Sequence, residues 1–219
     1  MSPDVVNCLV NDMKVSWDHF EAKYSSFSNT VQILIDSKLL EMLEVSRSIK
    51  AGNTAADDFN ILFYEGCDEV TNEFLQAMFD CFKEWQTSEG IQLQKNLYKH
   101  TNRSTDNWFP LVKIEEKINE CSYDDEFITV YRGCNQDEYK TNVFQQRQSW
   151  ATDLAVAKVF AFNHPSNSNS LKNRVVIKAV VKKSDVLWDR NAESEMVLRL
   201  SFSPKSAIIA MTYDHYQEQ

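Results

Sequence analysis

Hydrophobic residues in the first 120 positions recur every three or four places, which is the spacing of an amphipathic helix. The pattern is clear in SKLLEMLEVSRSIKAG and DEVTNEFLQAMFDCFKEWQTSEG, and a similar one opens the chain. The residues expected on the buried faces are Val5, Val6, Leu9, Met13, Trp17, Phe20, Leu39, Leu40, Leu43, Ile49, Val70, Phe74, Ala77, Met78, Cys81, Phe82 and Trp85. Gly52, Gly66 and Gly90 stand where helices would end. We therefore predict a helical N-terminal portion whose aromatic stripes form its core.

After about residue 120 the pattern changes to short β-branched and aromatic runs, which are typical of strands. Four such runs are EFITVYRG, RVVIKAVV, EMVLRLSF and AIIAMTY. Between the first two, TDLAVAKVFAF predicts one embedded helix, capped by Thr152 or Asp153. Its buried residues are expected to be Leu154, Val156, Val159 and Phe160. The sequence thus predicts a single α+β domain, with a helical portion over 1–120 and a β-rich core over 121–219.

Composition and charge narrow the class of protein. Hydrophobic residues make up 43% of the chain, but no apolar run is long enough to cross a membrane. The N-terminus lacks the basic start and apolar stretch of a signal peptide, so we expect a cytoplasmic protein with no membrane partner. The net charge of −9 lies in the first 120 residues, with 20 acidic against 11 basic side chains. That portion is therefore a poor candidate for binding nucleic acid, whereas the neutral remainder neither supports nor excludes it.

Cysteine and histidine spacing gives no sign of a metal site. The five cysteines are Cys8, Cys67, Cys81, Cys121 and Cys134, an odd number without a CxxC pair. We expect free thiols in a reducing compartment. The four histidines lie far apart, without the spacing of metal ligands. We therefore expect no metal.

Three polar elements stand where the predicted strands begin or end. Arg132 ends one strand next to Gly133, and a guanidinium there can bind a phosphate or a carboxylate with two hydrogen bonds. The glycine allows a ligand or another backbone to approach closely. Ser149 precedes the embedded helix, and Glu193 and Glu195 would project to the same side of one strand. Taken singly, the arginine is better explained as a surface or salt-bridging residue and the serine as part of an ordinary loop and cap, and a solvated strand edge is a common explanation of the two glutamates.

In this order, Arg, Ser and Glu-x-Glu resemble the signature of mono-ADP-ribosyltransferases of the arginine–serine–glutamate class. This class includes cholera-type and clostridial binary toxins, arginine-modifying ectoenzymes and bacteriophage enzymes. The resemblance covers residues 126–213 and implies a split β-sandwich core. The sequence keeps Ser149 and the helix core Val156-Ala157 but departs from the family's Ser-Thr-Ser stretch at Trp150 and Ala151. The resemblance also implies that the protein is a toxin or effector that is delivered into a host cell.

The resemblance implies that NAD+ is consumed as a substrate, and the lack of a GxGxxG run argues against a Rossmann cofactor domain. Arg132 would hold the NAD+ phosphates, Ser149 would orient Glu195, and Glu195 would stabilise the positively charged sugar. Glu193 would take a proton from the target arginine. The full set of implied NAD+ contacts is Arg132, Gly133, Ser149, Trp150, Phe160 and Glu195. The segment SDVLWDRNA would be a loop that recognises the target through Trp188 and Arg190.

Several alternatives remain open at the level of sequence. The acceptor is expected to be a protein arginine, but a nucleic-acid base or water would fit the same signature. The chain could also be a non-enzymatic binding module, in which Arg132, Glu193 and Glu195 are ordinary surface charges. The N-terminal helices could pack on the NAD+ cleft, recognise the target, or bind an inhibitor or antitoxin protein.

Overall fold

The computed structural model describes residues 1–48, 67–88, 90–99, 110–164, 171–190 and 192–218 of the chain. These residues fall into two compact units, one ending at Lys113 and the other beginning at Ile114. The change from helical to β-rich structure thus lies within a few residues of the predicted boundary at 120. That both units belong to one domain stays a prediction.

Helices make up the first unit. Their bounds are Pro3–Asn7 (α1), Trp17–Ser25 (α2), Asn29–Ser48 (α3), Glu69–Thr87 (α4) and Gly90–Lys99 (α5). A π-helical turn, Cys8–Asp12, continues α1. The chain then breaks, with Lys14 at a φ of 57° and Val15 in an isolated bridge to Val112. The opening segment is therefore helical, as its hydrophobic spacing predicts, but it is divided into two helices.

Most of the predicted core of the first unit is confirmed. The residues found buried are Val5, Leu9, Met13, Phe20, Leu39, Leu43, Phe74, Ala77, Met78, Cys81 and Phe82. Leu40 is 39% exposed, and Val6, Trp17, Val70 and Trp85 are half-buried, so these five are corrections at the margins of the helix faces. Ile49, Gly52 and Gly66 lie outside the described residues. Gly90 does not end a helix but begins α5, with a φ of 56°.

The second unit is built on one six-stranded sheet. Its strands are Phe127–Asn135 (β1), Ser149–Ala151 (β2), Arg174–Lys182 (β3), Val186–Arg190 (β4), Glu195–Leu198 (β5) and Ser206–Thr212 (β6). They lie in the order β4-β5-β2-β1-β3-β6, and every neighbouring pair is antiparallel. The helices of this unit are Gln136–Lys140 (α6), Leu154–Lys158 (α7) and Tyr213–Gln217 (α8). The α+β class is confirmed, and the split β-sandwich core stays a prediction.

Hydrophobic residues cover both faces of this sheet. On one face, Ile128, Val130, Phe144, Trp150, Met196 and Phe202 belong to a large buried cluster. On the other face, α7 and its π-helical continuation, Val159–Asn163, bury Ala157, Ala161 and Phe162 against Val176 and Met211. Because the sheet is covered on both sides, its central strands are held rigidly, which fixes the polar residues at their ends.

The embedded helix begins as predicted, since the Asp153 side chain accepts a hydrogen bond of 2.7 Å from the Ala155 amide. Its buried face is not the predicted one. Leu154, Val156 and Phe160 are half-buried and Val159 is 47% exposed. The wider π-helical turn changes the angle between successive side chains, and the close contact with β1 admits only small residues there.

Gly133 allows that close contact. A Cβ atom at this position would lie 2.3 Å from the Ala157 carbonyl oxygen and 2.4 Å from the Ala161 backbone nitrogen. Both distances are too short for any side chain. The expectation of a close approach at Gly133 is therefore confirmed, and the approaching group is the backbone of a helix.

Candidate functional site

Ser149 and Glu195 are the first residues of β2 and β5, which are neighbours in the sheet. The register pairs Ala151 with Glu195 and Ser149 with Val197, so Ser149 and Glu195 project diagonally from the same face. The Ser149 hydroxyl donates a hydrogen bond of 2.6 Å to Oε1 of Glu195. The sequence predicted this contact from the family resemblance, and the two side chains do meet.

The second carboxylate oxygen of Glu195 is held from the other side. Arg190 of β4 lies directly opposite Glu195 in the β4–β5 register, and its Nη1 donates to Oε2. The guanidinium of Arg190 also stands over the ring of Trp188, 4.9 Å from the centroid. Glu195 is only 6% exposed. A buried carboxylate is thus held between a hydroxyl and a guanidinium.

The segment SDVLWDRNA is not the predicted target-facing loop. Residues Val186–Arg190 form strand β4, and Trp188 is 8% exposed. Alternation along the strand places Trp188 and Arg190 on the same side, where they face Glu195. The prediction of a loop is therefore wrong, because the run VLW is hydrophobic enough to pair and bury at the sheet edge.

Glu193 does not share a strand with Glu195. It lies in the 3₁₀ turn Ala192–Ser194, in which Ser194 adopts a φ of 49°. The carbonyl oxygen of Ser194 accepts hydrogen bonds from the amide and the hydroxyl of Thr152, at 2.9 and 3.2 Å. The predicted alternation of the two glutamates on one strand is wrong, since the left-handed residue between them interrupts it. The side chain of Glu193 lies outside the description.

Arg132 contacts the backbone of β2 from the face of the sheet opposite Glu195. Its Nη1 donates to the carbonyl oxygen of Ser149 at 2.9 Å. Alternation along β1 puts the Arg132 side chain on the side of Val130 and Cys134, whereas Tyr131 shares the other side with Glu195. The structure therefore brings Arg132, Ser149 and Glu195 to adjoining strands, but the guanidinium of Arg132 lies on the opposite face of the sheet from the carboxylate.

The guanidinium of Arg132 is part of a cluster around Glu138 of α6. Oε2 of Glu138 lies 3.2 Å from Nε of Arg132 and 3.4 Å from Nε of Arg147. Burial acts to raise the pKa of Glu138, but Arg132, Arg147 and the nearby Arg174 outweigh it and hold that pKa below its ordinary value. Burial and the Glu138 charge raise the pKa of the Cys134 thiol to about 12. The cluster is a fixed, positively charged element behind β2.

The remaining predicted NAD+ contacts are spread over different environments. Trp150 is 2% exposed, its indole N–H donates to the Arg147 carbonyl oxygen, and its ring meets Phe202 edge-on at 5.5 Å. It is a core residue, so the prediction that it contacts a ligand needs correction. Phe160 is half-buried and stacks on His164, with ring centroids 5.4 Å apart.

Sequence reasoning missed two groups that shape the site. Glu138 follows Arg132 by six residues on α6, and no pattern in the sequence marks it as a partner. Arg190 was assigned to target recognition, whereas it binds Glu195. The signal that could have found the second is strand pairing, because a hairpin of β4 and β5 places residues 190 and 195 side by side.

Within the described ranges, no group of three His, Cys, Asp or Glu side chains is placed to hold a metal ion. No helix in the described part of the chain combines the length and the hydrophobicity needed to cross a bilayer. Cys8, Cys67, Cys81, Cys121 and Cys134 are free thiols, as predicted. Comparison of this chain with protein-family models, curated proteins and solved structures finds no match.

Proposed function

We propose that this protein is a mono-ADP-ribosyltransferase that cleaves NAD+, releases nicotinamide and transfers ADP-ribose to a macromolecular target, a protein arginine. The observation that carries the proposal is the hydrogen bond between Ser149 and the buried carboxylate of Glu195. These are the serine and the second glutamate of the signature that the sequence resembles. Their meeting at the starts of two neighbouring strands supports a site rather than a chance pattern.

The chemistry that Glu195 would perform is charge stabilisation. The bond between the nicotinamide nitrogen and the ribose C1′ atom breaks, nicotinamide leaves with the electron pair, and positive charge develops on the sugar. A carboxylate that is fixed in advance and shielded from water stabilises such a charge more strongly than water does. Each carboxylate oxygen has two lone pairs, so Glu195 can still accept a hydrogen bond from a ribose hydroxyl beside those from Ser149 and Arg190.

The acceptor step would use Glu193. An arginine guanidinium stays protonated throughout the physiological pH range. It therefore becomes a nucleophile only if a base removes a proton as the bond forms. Glu193 stands in the turn Ala192–Ser194, two residues before Glu195. Its carboxylate would take the proton while the guanidino nitrogen attacks C1′, and the proton would then pass to solvent. The products are ADP-ribosylated arginine, nicotinamide and one proton.

Arg132 would have two possible tasks in this scheme. Through its bond to the Ser149 carbonyl oxygen it fixes the strand that carries the hydroxyl. The family role, binding the NAD+ phosphates, would require the guanidinium to leave Glu138 and reach the face of the sheet that carries Glu195, because it lies on the opposite face and its side chain is only 14% exposed. We therefore assign the bracing of Ser149 to Arg132 first, and phosphate binding as the role that the resemblance adds.

The experiment is incubation of the protein with NAD+ labelled in the adenylate part, together with a whole-cell lysate. We expect label on protein, mapped by mass spectrometry to arginine, and none with Glu195→Gln. Label on nucleic acid, or free ADP-ribose alone, would assign the same site to a base or to water as acceptor. If neither label transfer nor nicotinamide release occurs, the proposal is overturned in favour of a binding module.

A further inference from the structure

We propose that Arg190 is a positioning residue for Glu195, held in place by Trp188, and not a residue that recognises the target. This inference rests on the proposed function, since it assigns a part in the same site. Three observations carry it: the contact between Arg190 and the carboxylate, the burial of Glu195, and the stacking of the guanidinium on an aromatic ring.

The contact is fixed by the backbone of the sheet. Arg190 and Glu195 are directly paired across β4 and β5, the last and first residues of the two strands. Such pairs have their Cβ atoms about 5 Å apart, so the long arginine side chain needs little freedom to reach the carboxylate. The guanidinium binds Oε2 while the Ser149 hydroxyl binds Oε1. The two partners approach from strands on either side and set the plane of the carboxylate.

Burial makes this partner necessary. The Glu195 side chain is 8% exposed and that of Arg190 16% exposed. A carboxylate removed from water is stable as an anion only when a cation and hydrogen bonds replace its hydration. Ser149 is neutral, whereas Arg190 brings a positive charge to the Glu195 carboxylate. A guanidinium with both this contact and this burial is poorly placed to receive a macromolecular target.

Trp188 packs its ring against the guanidinium of Arg190. It precedes Arg190 by two residues on β4 and therefore points to the same side. The centroid of its ring lies 4.9 Å from Cζ of Arg190, and Trp188 as a whole is 8% exposed. A flat aromatic face holds the planar guanidinium in one orientation, which a lysine ammonium would not share. The chain of contacts runs from Trp188 to Arg190, Glu195 and Ser149, across three adjoining strands.

The two roles predict different kinetics. A residue that orients Glu195 acts before any acceptor enters, so its loss slows nicotinamide release by the same factor whichever acceptor is used. A residue that recognises the target affects only the KM for that target. The measurement is therefore nicotinamide release with three acceptors: water, a small guanidino compound, and the protein acceptor.

We expect Arg190→Met to lower kcat about 100-fold with every acceptor, as for loss of a preorganised electrostatic contact, with the KM for NAD+ changed less than about threefold. Arg190→Lys keeps the charge without the planar fork and should recover about 10-fold of that loss. Trp188→Phe should lower kcat by only about twofold to fivefold, because a smaller ring remains beneath the guanidinium.

The matched control is Arg199→Met. Arg199 also pairs with a carboxylate, 3.4 Å from Asp185, but its side chain is 53% exposed and lies outside the site. It should leave kcat unchanged. Circular dichroism of each variant shows whether it is folded. If Arg190→Met does not fold, the kcat values of Arg190→Lys and Trp188→Phe test the positioning role instead.

Unchanged nicotinamide release into water by folded Arg190→Met, with a raised KM for the protein acceptor, would overturn the positioning role and restore target recognition. Failure of the wild type to release nicotinamide with any acceptor would instead overturn the proposed function, and the role of Arg190 with it.

Discussion

The Ser149 hydroxyl and Glu195 Oε1 are joined by a hydrogen bond of 2.6 Å, although the residues are 46 positions apart in the chain. The bond links the first residues of β2 and β5 and uses a carboxylate that is almost fully buried. Hydrogen bonds to charged groups are among the stronger ones in proteins. Removing either partner should therefore have a measurable effect on the site.

Ser149→Ala should lower the rate of nicotinamide release by about 10- to 100-fold, since a hydrogen bond to a charged group contributes about 1.5–3 kcal/mol. Ser149→Thr retains the hydroxyl and should stay close to the wild type. The matched control is Ser206→Ala, because Ser206 is an exposed serine that begins β6 at the far edge of the sheet. Equal rates for the Ser149→Ala and Ser206→Ala variants would show that the hydroxyl has no part in the reaction.

Gly133→Ala should destabilise the second unit by about 3 kcal/mol or more, because its Cβ would collide with the backbone of α7 and neither partner can move freely. The comparison is Gly90→Ala in the first unit. No atom lies within 4 Å of a Cβ added there, so only the φ of 56° costs energy, about 1–2 kcal/mol. Urea unfolding of the two variants measures the difference. A smaller loss at Gly133 than at Gly90 would contradict the packing of α7 on β1.

Acid stability should depend on Glu138. Its pKa is held below the ordinary value of 4.5, so the unfolded chain binds the proton more readily than the folded one. The stabilisation is therefore complete above about pH 4.5 and is lost as the pH falls through the lower pKa of the folded state. Glu138→Gln should unfold with a weaker dependence on pH below 4.5, measured as the urea midpoint at a series of pH values.

At neutral pH the same substitution leaves Arg132 and Arg147 without their carboxylate. Breaking a buried ion pair in this way costs about 3 kcal/mol. Glu126→Gln serves as the control, since it removes an exposed carboxylate just before β1. If both variants keep the acid dependence of the wild type, Glu138 is not the group responsible.

The thiol of Cys134 should resist alkylation until the protein unfolds. Burial and the nearby Glu138 charge raise its pKa to about 12, so almost no thiolate forms at neutral pH. Cys67 is only half-buried and should react first. Mass spectrometry of peptides after iodoacetamide treatment, with and without urea, gives the order. Labelling of Cys134 in the folded protein at the rate of Cys67 would contradict the packing around β1.

Periodicity predicted most of the regular structure. The buried faces of α3 and α4, the strands β1, β3 and β6, and the cap at Asp153 follow from local patterns of side chains. Local patterns fail where tertiary contact decides. Strand β4 was assigned to a loop on the strength of the family resemblance, yet pairing with β5 satisfies its backbone.

The site was predictable only in part. The contact between Ser149 and Glu195 was expected from the resemblance, and the structure contains it. The placement of Glu193 was missed, because the left-handed Ser194 could not be recognised without a glycine or asparagine to mark it. The partner of Arg132 was missed as well, since an ion pair with Glu138 depends on how α6 folds back over β1.

The most direct test of the central claim is nicotinamide release from NAD+ by the wild type and by Glu195→Gln, which keeps the shape of the side chain and removes its charge. We predict turnover by the wild type and a loss of at least about 100-fold in the variant, with both proteins folded by circular dichroism. Turnover that the substitution leaves unchanged would contradict the role of Glu195, and no turnover by either protein would contradict the enzyme itself.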